Sequence, residues 1–228
     1  MEINNLDFSY QQEPIFKDLS VNFSDKTINA IIGVNGAGKS TLLDIIAGLY
    51  TKTTNNYLSH FPDSCNIMYQ LQHTTFFPTL TVEQTLDLFR KIDKQDDPVN
   101  NRIMKEVYEK VIGPLMHIKM GMLSGGERQM VITYGICLLN RELYLFDEPL
   151  SGVDVRNSEL IMKLITSLNT DRNKKVILTL HQLEYLKDTT VNIVFIDQQR
   201  CIFEGSFKEI LNNSQTTDID AAFKRLTK

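Results

Sequence analysis

Nine residues near the start of the chain form a motif that could hold phosphate groups. Residues 33 to 41 read G-V-N-G-A-G-K-S-T, with an apolar run before them and a helical pattern after them. Glycines at this spacing let a backbone turn tightly and direct its N–H groups at phosphate oxygens. Lys39 is expected to reach the β- and γ-phosphates, and the Ser40 hydroxyl to hold Mg²⁺. We therefore predict that a nucleoside triphosphate contacts the following residues: Asn35, Gly36, Ala37, Gly38, Lys39, Ser40 and Thr41.

Two later apolar runs also end in side chains that could take part in catalysis. Residues 143–146 lead into Asp147 and Glu148, and residues 176–180 lead into His181. Short apolar runs without clean alternation are typical of strands that are buried on both faces of a parallel sheet. In such sheets, ligands bind beyond the carboxyl ends of the strands. The three runs therefore predict an α/β fold in which the phosphate loop, the acidic pair and the histidine meet at one edge.

Asp147 and Glu148 are adjacent at the end of a predicted strand, so their side chains should leave toward opposite faces. They are therefore expected to have different roles. Two neighbouring buried carboxylates repel each other, and a bound metal ion would offset that repulsion. For this pair taken alone, an exposed acidic turn after a strand is the alternative.

The composition limits the class of protein. The chain has 228 residues, of which 42% are hydrophobic, and suits one compact domain or one core with an inserted subdomain. Its net charge of −4 argues against a strongly basic surface for nucleic acid. We find neither a signal peptide nor an apolar run long enough to cross a bilayer. These features favour a cytoplasmic protein that does not bind nucleic acid.

The stretch 73–138 has no comparable strand run and shows helical spacing instead. Its apolar residues recur at Val82, Leu86 and Phe89, and then at Ile103, Met104, Val107 and Tyr108. Two capping boxes begin helices there, at Thr81–Gln84 and at Ser124–Glu127. We therefore predict that 73–138 is a helical subdomain inserted into an α/β core formed by 1–72 and 139–228.

Three other segments have weaker patterns. Apolar and polar residues alternate at Leu6, Phe8 and Tyr10, which predicts a half-buried strand. Residues 94–101 are polar and contain a proline, which predicts a loop. Residues 212–228 are first polar and then weakly helical, with no distinctive motif.

The motif L-S-G-G-E-R-Q at residues 123–129 discriminates most sharply between classes of nucleotide-binding protein. With the phosphate loop and the D-E-P triplet at 147–149, it makes the chain resemble the ATP-binding subunit of ABC transporters over nearly its whole length. The resemblance implies the ABC ATPase fold. That fold is an α/β P-loop NTPase core of the RecA type with a mostly parallel sheet, a small antiparallel β-subdomain and an inserted helical subdomain.

Several positions depart from the pattern of that family without touching the phosphate chemistry. Met130 and Gly135 stand where basic residues are frequent, and Leu150 stands where threonine is frequent. The stretch between Gly48 and Gln72 is also short, which favours a trimmed antiparallel β-subdomain.

The resemblance implies roles for single side chains around the phosphates. Asp147 would support the Mg²⁺ shell, whereas Glu148 would orient and polarise the attacking water. Gln72 matches the glutamine that senses Mg²⁺ and the γ-phosphate, with Gln70 as the alternative, and His181 matches a histidine that contacts the γ-phosphate. ATP and Mg²⁺ are the implied cofactors. The implied catalytic residues are Lys39, Gln72, Glu148 and His181, and the implied metal-binding residues are Ser40, Gln72 and Asp147.

Other positions in the pattern concern adenine and a second subunit. Tyr10 stands where the family has an aromatic residue that stacks on adenine, and an ordinary core aromatic is the alternative. Ser124, Gly125 and Gly126 would close over ATP held by the phosphate loop of a partner subunit, packed head to tail. Asp154 falls in the loop that communicates across such a dimer, and we also expect it to cap the helix that follows.

The same resemblance implies that the chain drives a separate transmembrane permease, docking through the helical insertion and the groove near Gln72. Its second ATPase subunit could be identical or different. We expect it at the cytoplasmic face of a cell membrane, in peripheral contact through the permease. Its Asn-, Lys- and Ile-rich composition favours a bacterial source. A non-transport ABC ATPase, of the assembly or cell-division type, is the alternative.

Overall fold

The computed structural model of the chain describes residues 1–50, 55–73, 75–93, 101–181, 185, 190–213 and 225. The strands are β1 (Glu2–Tyr10), β2 (Glu13–Asn22), β3 (Ile28–Ile32), β4 (Leu58–Ser59), β5 (Ile67–Gln70), β6 (Leu143–Phe146), β7 (Lys175–Thr179), β8 (Val191–Asp197) and β9 (Arg200–Gly205). The α-helices are α1 (Lys39–Ile46), α2 (Val82–Ile92), α3 (Arg102–Val107), α4 (Gly113–Leu115), α5 (Gly125–Leu138), α6 (Val155–Thr170) and α7 (Phe207–Asn213). A π-helical turn (Tyr108–Ile112) joins α3 to α4, and 3₁₀ turns form at Asn55–Tyr57, Ser64–Asn66 and Met120–Met122.

The larger sheet has six strands in the order β5-β6-β7-β3-β8-β9, and its pairs are parallel except for the β8–β9 hairpin. Alternate residues of the central strands face two different hydrophobic cores. In β6, Tyr144 and Phe146 pack in one core, while Leu143 and Leu145 pack in the other. This burial on both faces explains why these strands read as continuous apolar runs. The predicted α/β fold with a mostly parallel sheet is confirmed.

The two cores lie on opposite faces of the larger sheet. The first, which we call the α5 core, joins one face to the helices, with Leu86 from α2, Met130 from α5 and Leu164 from α6. The second, which we call the α1 core, joins the other face to α1 and to the smaller sheet, with Leu42 and Phe16 among its members. Each fully buried side chain of this size stabilises the fold by roughly 1.5–3 kcal/mol.

The smaller sheet is antiparallel, with the strand order β2-β1-β4. In β1, Ile3, Leu6 and Phe8 face the α1 core, and the period of two shifts between Ile3 and Leu6 at a register irregularity. Asn5 has a φ of 51° within that irregularity. β4 is only two residues long, so the antiparallel β-subdomain is present with a short third strand.

Capping side chains begin the helices where the motifs predict them. Thr81 and Ser124 each accept a hydrogen bond from the N–H of the third helical residue, whose own side chain binds back to the cap, so both capping boxes form. Asp154 caps α6 by accepting from the N–H of Asn157 at 3.1 Å. The helical character of 73–138 is therefore seen in α2 to α5, while its division from the core as a subdomain stays a prediction.

Two predicted segments fall largely on residues outside the described ranges. The loop at 94–101 is represented only by Asn101, which caps α3, and most of the tail at 212–228 is not described. Among the helices that the structure describes, none combines the length and the apolarity needed to cross a membrane.

Gly135 has a packing role that explains one departure from the family pattern. It lies in α5, and a Cβ added there would stand 2.4 Å from Cδ2 of Phe89 in α2. A real Cβ cannot approach an aromatic ring so closely, so the absence of a side chain lets α2 and α5 pack at this point. A basic side chain at position 135 would therefore displace Phe89.

We expect Gly135→Ala to lower the free energy of unfolding by about 1–3 kcal/mol, as overpacking does in other cores. The helix propensity of alanine works the other way, by about 1 kcal/mol. Urea unfolding of the purified variant measures the sum. In a Phe89→Leu background the same change should cost much less, because the ring is gone. Stabilisation by Gly135→Ala in the otherwise unchanged protein would contradict this account.

Candidate nucleotide-binding site

Residues 33–41 connect the end of β3 to the start of α1, as the motif predicts. Gly36 and Gly38 have φ values of 83° and 94°, in the left-handed region that favours glycine. A Cβ at Gly38 would lie 2.8 Å from Cζ of Phe16, so the loop also packs directly on β2. Gly38 is the N-cap of α1 and has no side chain to bond the first N–H groups of the helix. Those N–H groups are therefore free to face an anion in front of the loop.

A cleft of about 390 Å³ opens in front of this loop. Its walls come from β2, from the loop and α1, and from the segments that follow β5, β6 and β7. The lining residues are Ile15, Asn35, Gly36, Gly38, Lys39, Ser40, Thr41, Gln72, Glu148 and His181. The cleft thus brings together most of the residues that the motifs single out, while Ala37 belongs to the loop without lining the cleft.

Ile15 is a cleft residue that the motifs do not single out. It lies in β2 beside Phe16, which is buried in the α1 core. In a half-buried strand apolar and polar residues alternate, and the adjacent apolar pair Ile15 and Phe16 breaks that alternation. The broken alternation is the sequence feature that could have indicated a second role for Ile15. Ile15 adds an apolar side chain to the lining of the cleft.

Lys39 is buried and held by its own loop. Its Nζ donates to the carbonyl oxygens of Gly33 at 3.0 Å and Val34 at 3.2 Å. Burial lowers the pKa of Lys39 below its ordinary value, while the negative charges of Glu148 and Asp147 act in the opposite direction. The ammonium group is thus fixed at the cleft before any ligand arrives, which reduces the ordering that binding requires.

The two carboxylates have separate sets of partners. Asp147 is 4% exposed, and its Oδ1 accepts a hydrogen bond of 2.7 Å from the hydroxyl of Thr179. The carboxylate of Glu148 faces the cleft, where Oε2 accepts from Nε2 of Gln72 at 2.7 Å and Oε1 lies 2.5 Å from Nε2 of His181. The two neighbouring side chains therefore contact different groups. Strand alternation does not account for this, because β6 ends at Phe146 and Glu148 has a φ of 47°.

The structure places Gln72, and not Gln70, in the cleft. Gln70 is the last residue of β5 and is 1% exposed. Its Oε1 accepts from the hydroxyl of Thr133 in α5 at 3.1 Å, so its side chain faces the helices. Gln72 lines the cleft and donates a hydrogen bond to Glu148, which favours it over the alternative for a role near the phosphates.

The signature loop, residues 124–126, lies outside the cleft. Ser124 and Gly125 are exposed at the start of α5, and Gly125 faces the segment 151–154, since its added Cβ would be 3.9 Å from the oxygen of Gly152. A second cleft of about 240 Å³ lies along that segment. Glu148 and His181 line both clefts. Within one chain, therefore, the signature loop contributes no residue to the cleft in front of the phosphate loop.

Tyr10 lies near the phosphate loop but not in the cleft wall. It is 39% exposed, and its hydroxyl donates to Oγ1 of Thr41 at 3.4 Å and pairs with the hydroxyl of Tyr50 at 3.0 Å. Its ring packs edge to face against Phe8, with centroids 5.2 Å apart. Tyr10 thus belongs to a surface cluster of aromatic residues and is hydrogen-bonded to the phosphate loop through Thr41. Adenine stacking on Tyr10 stays a prediction.

The oxygen donors beside the cleft suit a hard cation. Among the described residues, no three Asp, Glu, His or Cys side chains come together as a metal site of their own. The cleft supplies the hydroxyl of Ser40 and the amide of Gln72, with the carboxylate of Asp147 next to Glu148. In nucleotide sites Mg²⁺ is held by one or two protein oxygens together with phosphates and water. The residues present therefore fit Mg²⁺ bound with a nucleotide.

Comparison with known proteins identifies this arrangement. The family model described as ABC transporter matches residues 16–151, which include the phosphate loop, the signature loop and the acidic pair. The chain belongs to the ABC transporter family. It is an ATP-binding subunit with the ABC ATPase fold, and its reaction is the hydrolysis of ATP.

Individual relatives of this ABC ATPase come from plants and bacteria. It is 36% identical over 178 residues to ABC transporter G family member 4 of Arabidopsis thaliana, covering 74% of this chain but 31% of the plant protein. It is 28% identical over 226 residues to the zinc uptake system ATP-binding protein ZurA of Listeria innocua, covering 92% of this chain and 86% of that protein. A solved ATP-binding subunit of an ABC transporter superimposes with a TM-score of 0.81 at 20% identity, covering 100% of this chain and 99% of the other. The last match shows the shared fold.

Proposed function

We propose that this ABC ATPase is one half of a head-to-tail dimer that closes around two ATP molecules and drives a separate membrane permease. The position of the signature loop carries the proposal. Ser124, Gly125 and Gly126 are needed for the family pattern, yet they lie outside the cleft that contains Lys39 and Glu148. A second subunit, turned head to tail, would bring its own signature loop to that cleft.

The start of α5 suits the binding of a partner's phosphate. In the capping box, the N–H groups of Ser124 and Glu127 are used, at 2.9 and 3.2 Å. The N–H groups of Gly125 and Gly126 take no part in the box and lie at the positive end of a 14-residue helix. Gly125 is exposed, and its missing side chain leaves room for a γ-phosphate to approach, whereas Gly126 is buried beside Asp154.

Within the cleft, the contacts support distinct roles in hydrolysis. Lys39 would neutralise the β- and γ-phosphates. Glu148 would orient the attacking water and take up its proton, because its carboxylate is held from two sides by Gln72 and His181. Phosphoryl transfer depends mainly on such positioning and charge stabilisation, so no covalent step on the protein is required.

Mg²⁺ would be held by the hydroxyl of Ser40, with Gln72 and Asp147 around it. Oδ1 of Asp147 is already occupied by Thr179, which fixes the carboxylate and leaves its other oxygen for the shell of the ion. When bound with ATP, Mg²⁺ would neutralise phosphate charge. Asp147 would then contribute to the shell of the ion, while Glu148 would face the attacking water.

An apolar surface near Gln72 is the proposed docking site for the permease. Phe77 is 67% exposed and Met122 is 79% exposed, on two segments that are joined by backbone hydrogen bonds. One of these bonds runs from the N–H of Gly121 to the oxygen of Pro78 at 3.0 Å. Large apolar side chains that are exposed on linked segments suit a contact with another protein. Docking here would place the protein at the cytoplasmic face of the membrane.

The decisive experiment is the purification of tagged Glu148→Gln protein from its native membranes with ATP, followed by mass spectrometry. We expect a multi-pass membrane protein in stoichiometric amount. A matched Phe77→Asp/Met122→Asp variant in the same background should lose that partner and still form the ATP-dependent dimer. If only soluble proteins accompany the subunit, the permease assignment is wrong and the non-transport alternative takes its place.

Gly125 allows the head-to-tail arrangement to be tested separately. An added Cβ has room there, and aspartate in the first turn favours a helix, so Gly125→Asp should fold normally. Its negative charge would repel the partner's γ-phosphate. We expect ATP binding to remain, but turnover to fall roughly 10²–10³-fold, as for loss of a preorganised donor. Sedimentation with ATP should show monomers.

Gly125→Ala is the matched control for the added Cβ, and it should keep most of the dimer. Both variants are best compared in the Glu148→Gln background, where ATP is not consumed during sedimentation. An ATP-dependent dimer of Gly125→Asp with normal stability would contradict the head-to-tail arrangement.

A further inference from the structure

Thr179 makes two hydrogen bonds that no motif anticipates. It is the last residue of β7 and is fully buried, with 0% exposure. Its hydroxyl donates to Oδ1 of Asp147 at 2.7 Å and accepts from the backbone N–H of Glu148 at 2.8 Å. Since a hydroxyl has one hydrogen, donation to the carboxylate leaves its lone pairs for the N–H. One buried side chain therefore links both members of the acidic pair.

The hydroxyl of Thr179 makes its hydrogen bonds at the point where the backbone leaves the larger sheet after β6. The N–H of Asp147 still bonds to the oxygen of Gln70 in β5, at 2.9 Å. At Glu148 the backbone turns out of the sheet with a φ of 47°, a left-handed conformation that a residue with a Cβ adopts at a cost. Thr179 supplies the acceptor for the N–H of Glu148 at that turn.

The turn determines where the Glu148 side chain points. From this backbone conformation its carboxylate reaches Gln72 on one side and His181 on the other. Thr179 itself does not line the cleft, so any effect on the reaction must pass through its two bonds. A small rotation of the Glu148 backbone would move the carboxylate away from both partners.

We infer that Thr179 is a positioning residue for ATP hydrolysis: its hydroxyl holds the turn that aims Glu148 into the cleft and fixes the orientation of Asp147. The inference rests on the proposed role of Glu148. By this inference β7 contributes to the site twice, through the hydroxyl of Thr179 and through His181, which follows the strand.

Thr179→Val is the primary test, because valine has nearly the shape of threonine and lacks the hydroxyl. We expect kcat for ATP hydrolysis to fall by about 10- to 100-fold, the scale of effect that misplacing a reacting group produces. The KM for ATP should change less than kcat does, because Lys39 and the phosphate loop are untouched and only the proposed Mg²⁺ contact of Asp147 is affected. Thr179→Ser keeps the hydroxyl and should restore kcat to within about threefold.

Folding is checked with a second matched pair, Thr179→Ser and Thr179→Ala, which differ in the hydroxyl and have similar volume. Thermal melting is measured for every variant. If serine and alanine variants have the same kcat, or if Thr179→Val turns over normally, the inference is wrong. A valine variant that fails to fold leaves the serine–alanine comparison to decide.

Combination with Glu148→Gln separates this inference from the proposed function. In that background Thr179→Val should lower the residual turnover much less than it does in the otherwise unchanged protein. The carboxylate that the turn directs into the cleft is already lost, so only the orientation of Asp147 can still change. Normal turnover of Glu148→Gln alone would overturn the role of Glu148 itself. An inactive Glu148→Gln protein beside a fully active Thr179→Val protein would overturn only the inference about Thr179.

Discussion

A Glu148→Gln variant should bind ATP with close to normal affinity and lose almost all turnover, by roughly 10²–10⁴-fold in kcat. The amide has the shape of the carboxylate but no negative charge to polarise a water molecule or accept its proton. The contacts with Gln72 and His181 can largely be kept, so the cleft should stay intact. Steady-state phosphate release measures kcat, and equilibrium titration measures ATP affinity.

The same variant should accumulate as an ATP-bound dimer, because hydrolysis is what would release the two subunits. Glu148→Asp is the matched control: it keeps the charge and shortens the side chain, and it should retain more turnover than the glutamine variant. Normal phosphate release by Glu148→Gln would show that the residue which positions the water lies elsewhere.

Replacement of Lys39 should weaken ATP binding itself. A hydrogen bond to a charged group contributes about 1.5–3 kcal/mol, so Lys39→Met should lower ATP affinity by roughly 10- to 150-fold. Methionine keeps an unbranched apolar chain in the buried channel and removes only the ammonium group. The carbonyl oxygens of Gly33 and Val34 also lose their donor, which would loosen the loop.

Calorimetric titration with ATP gives the affinity, and melting without nucleotide shows whether the fold is kept. The matched control is Lys26→Met, at an exposed position away from the cleft, which should bind ATP normally. Near-normal affinity of Lys39→Met would contradict the assignment of the phosphate loop.

The large features of the site could be predicted from the sequence because each is local. The phosphate loop is one continuous segment, and Asp147, Glu148 and His181 each follow an apolar run directly. Parallel strands end at a common edge, so these segments had to meet there. Local sequence could not decide between Gln70 and Gln72, because side chains two residues apart lie on the same side of an ideal strand. The end of β5 at Gln70 frees Gln72 to turn into the cleft.

Contacts between distant segments could not be predicted in the same way. Thr179 meets Asp147 because Phe146 pairs with Leu178 in the β6–β7 register, and a slip of one residue would turn its side chain to the other face. Gly135 and Phe89 meet through the packing of two helices that no short motif specifies. The π-helical turn at 108–112 was likewise unexpected, and it precedes Pro114, which has no N–H for a regular helical bond.

The separation of the two hydrophobic cores has a consequence for how such a subunit can diverge. The phosphate loop is anchored through α1 in one core, and the signature loop is anchored through α5 in the other. Substitutions at distant sites without shared neighbours add nearly independently. Changes around Leu42 should therefore alter how tightly one subunit holds ATP, and changes around Met130 should alter how firmly two subunits join. Selection can adjust these two properties one at a time.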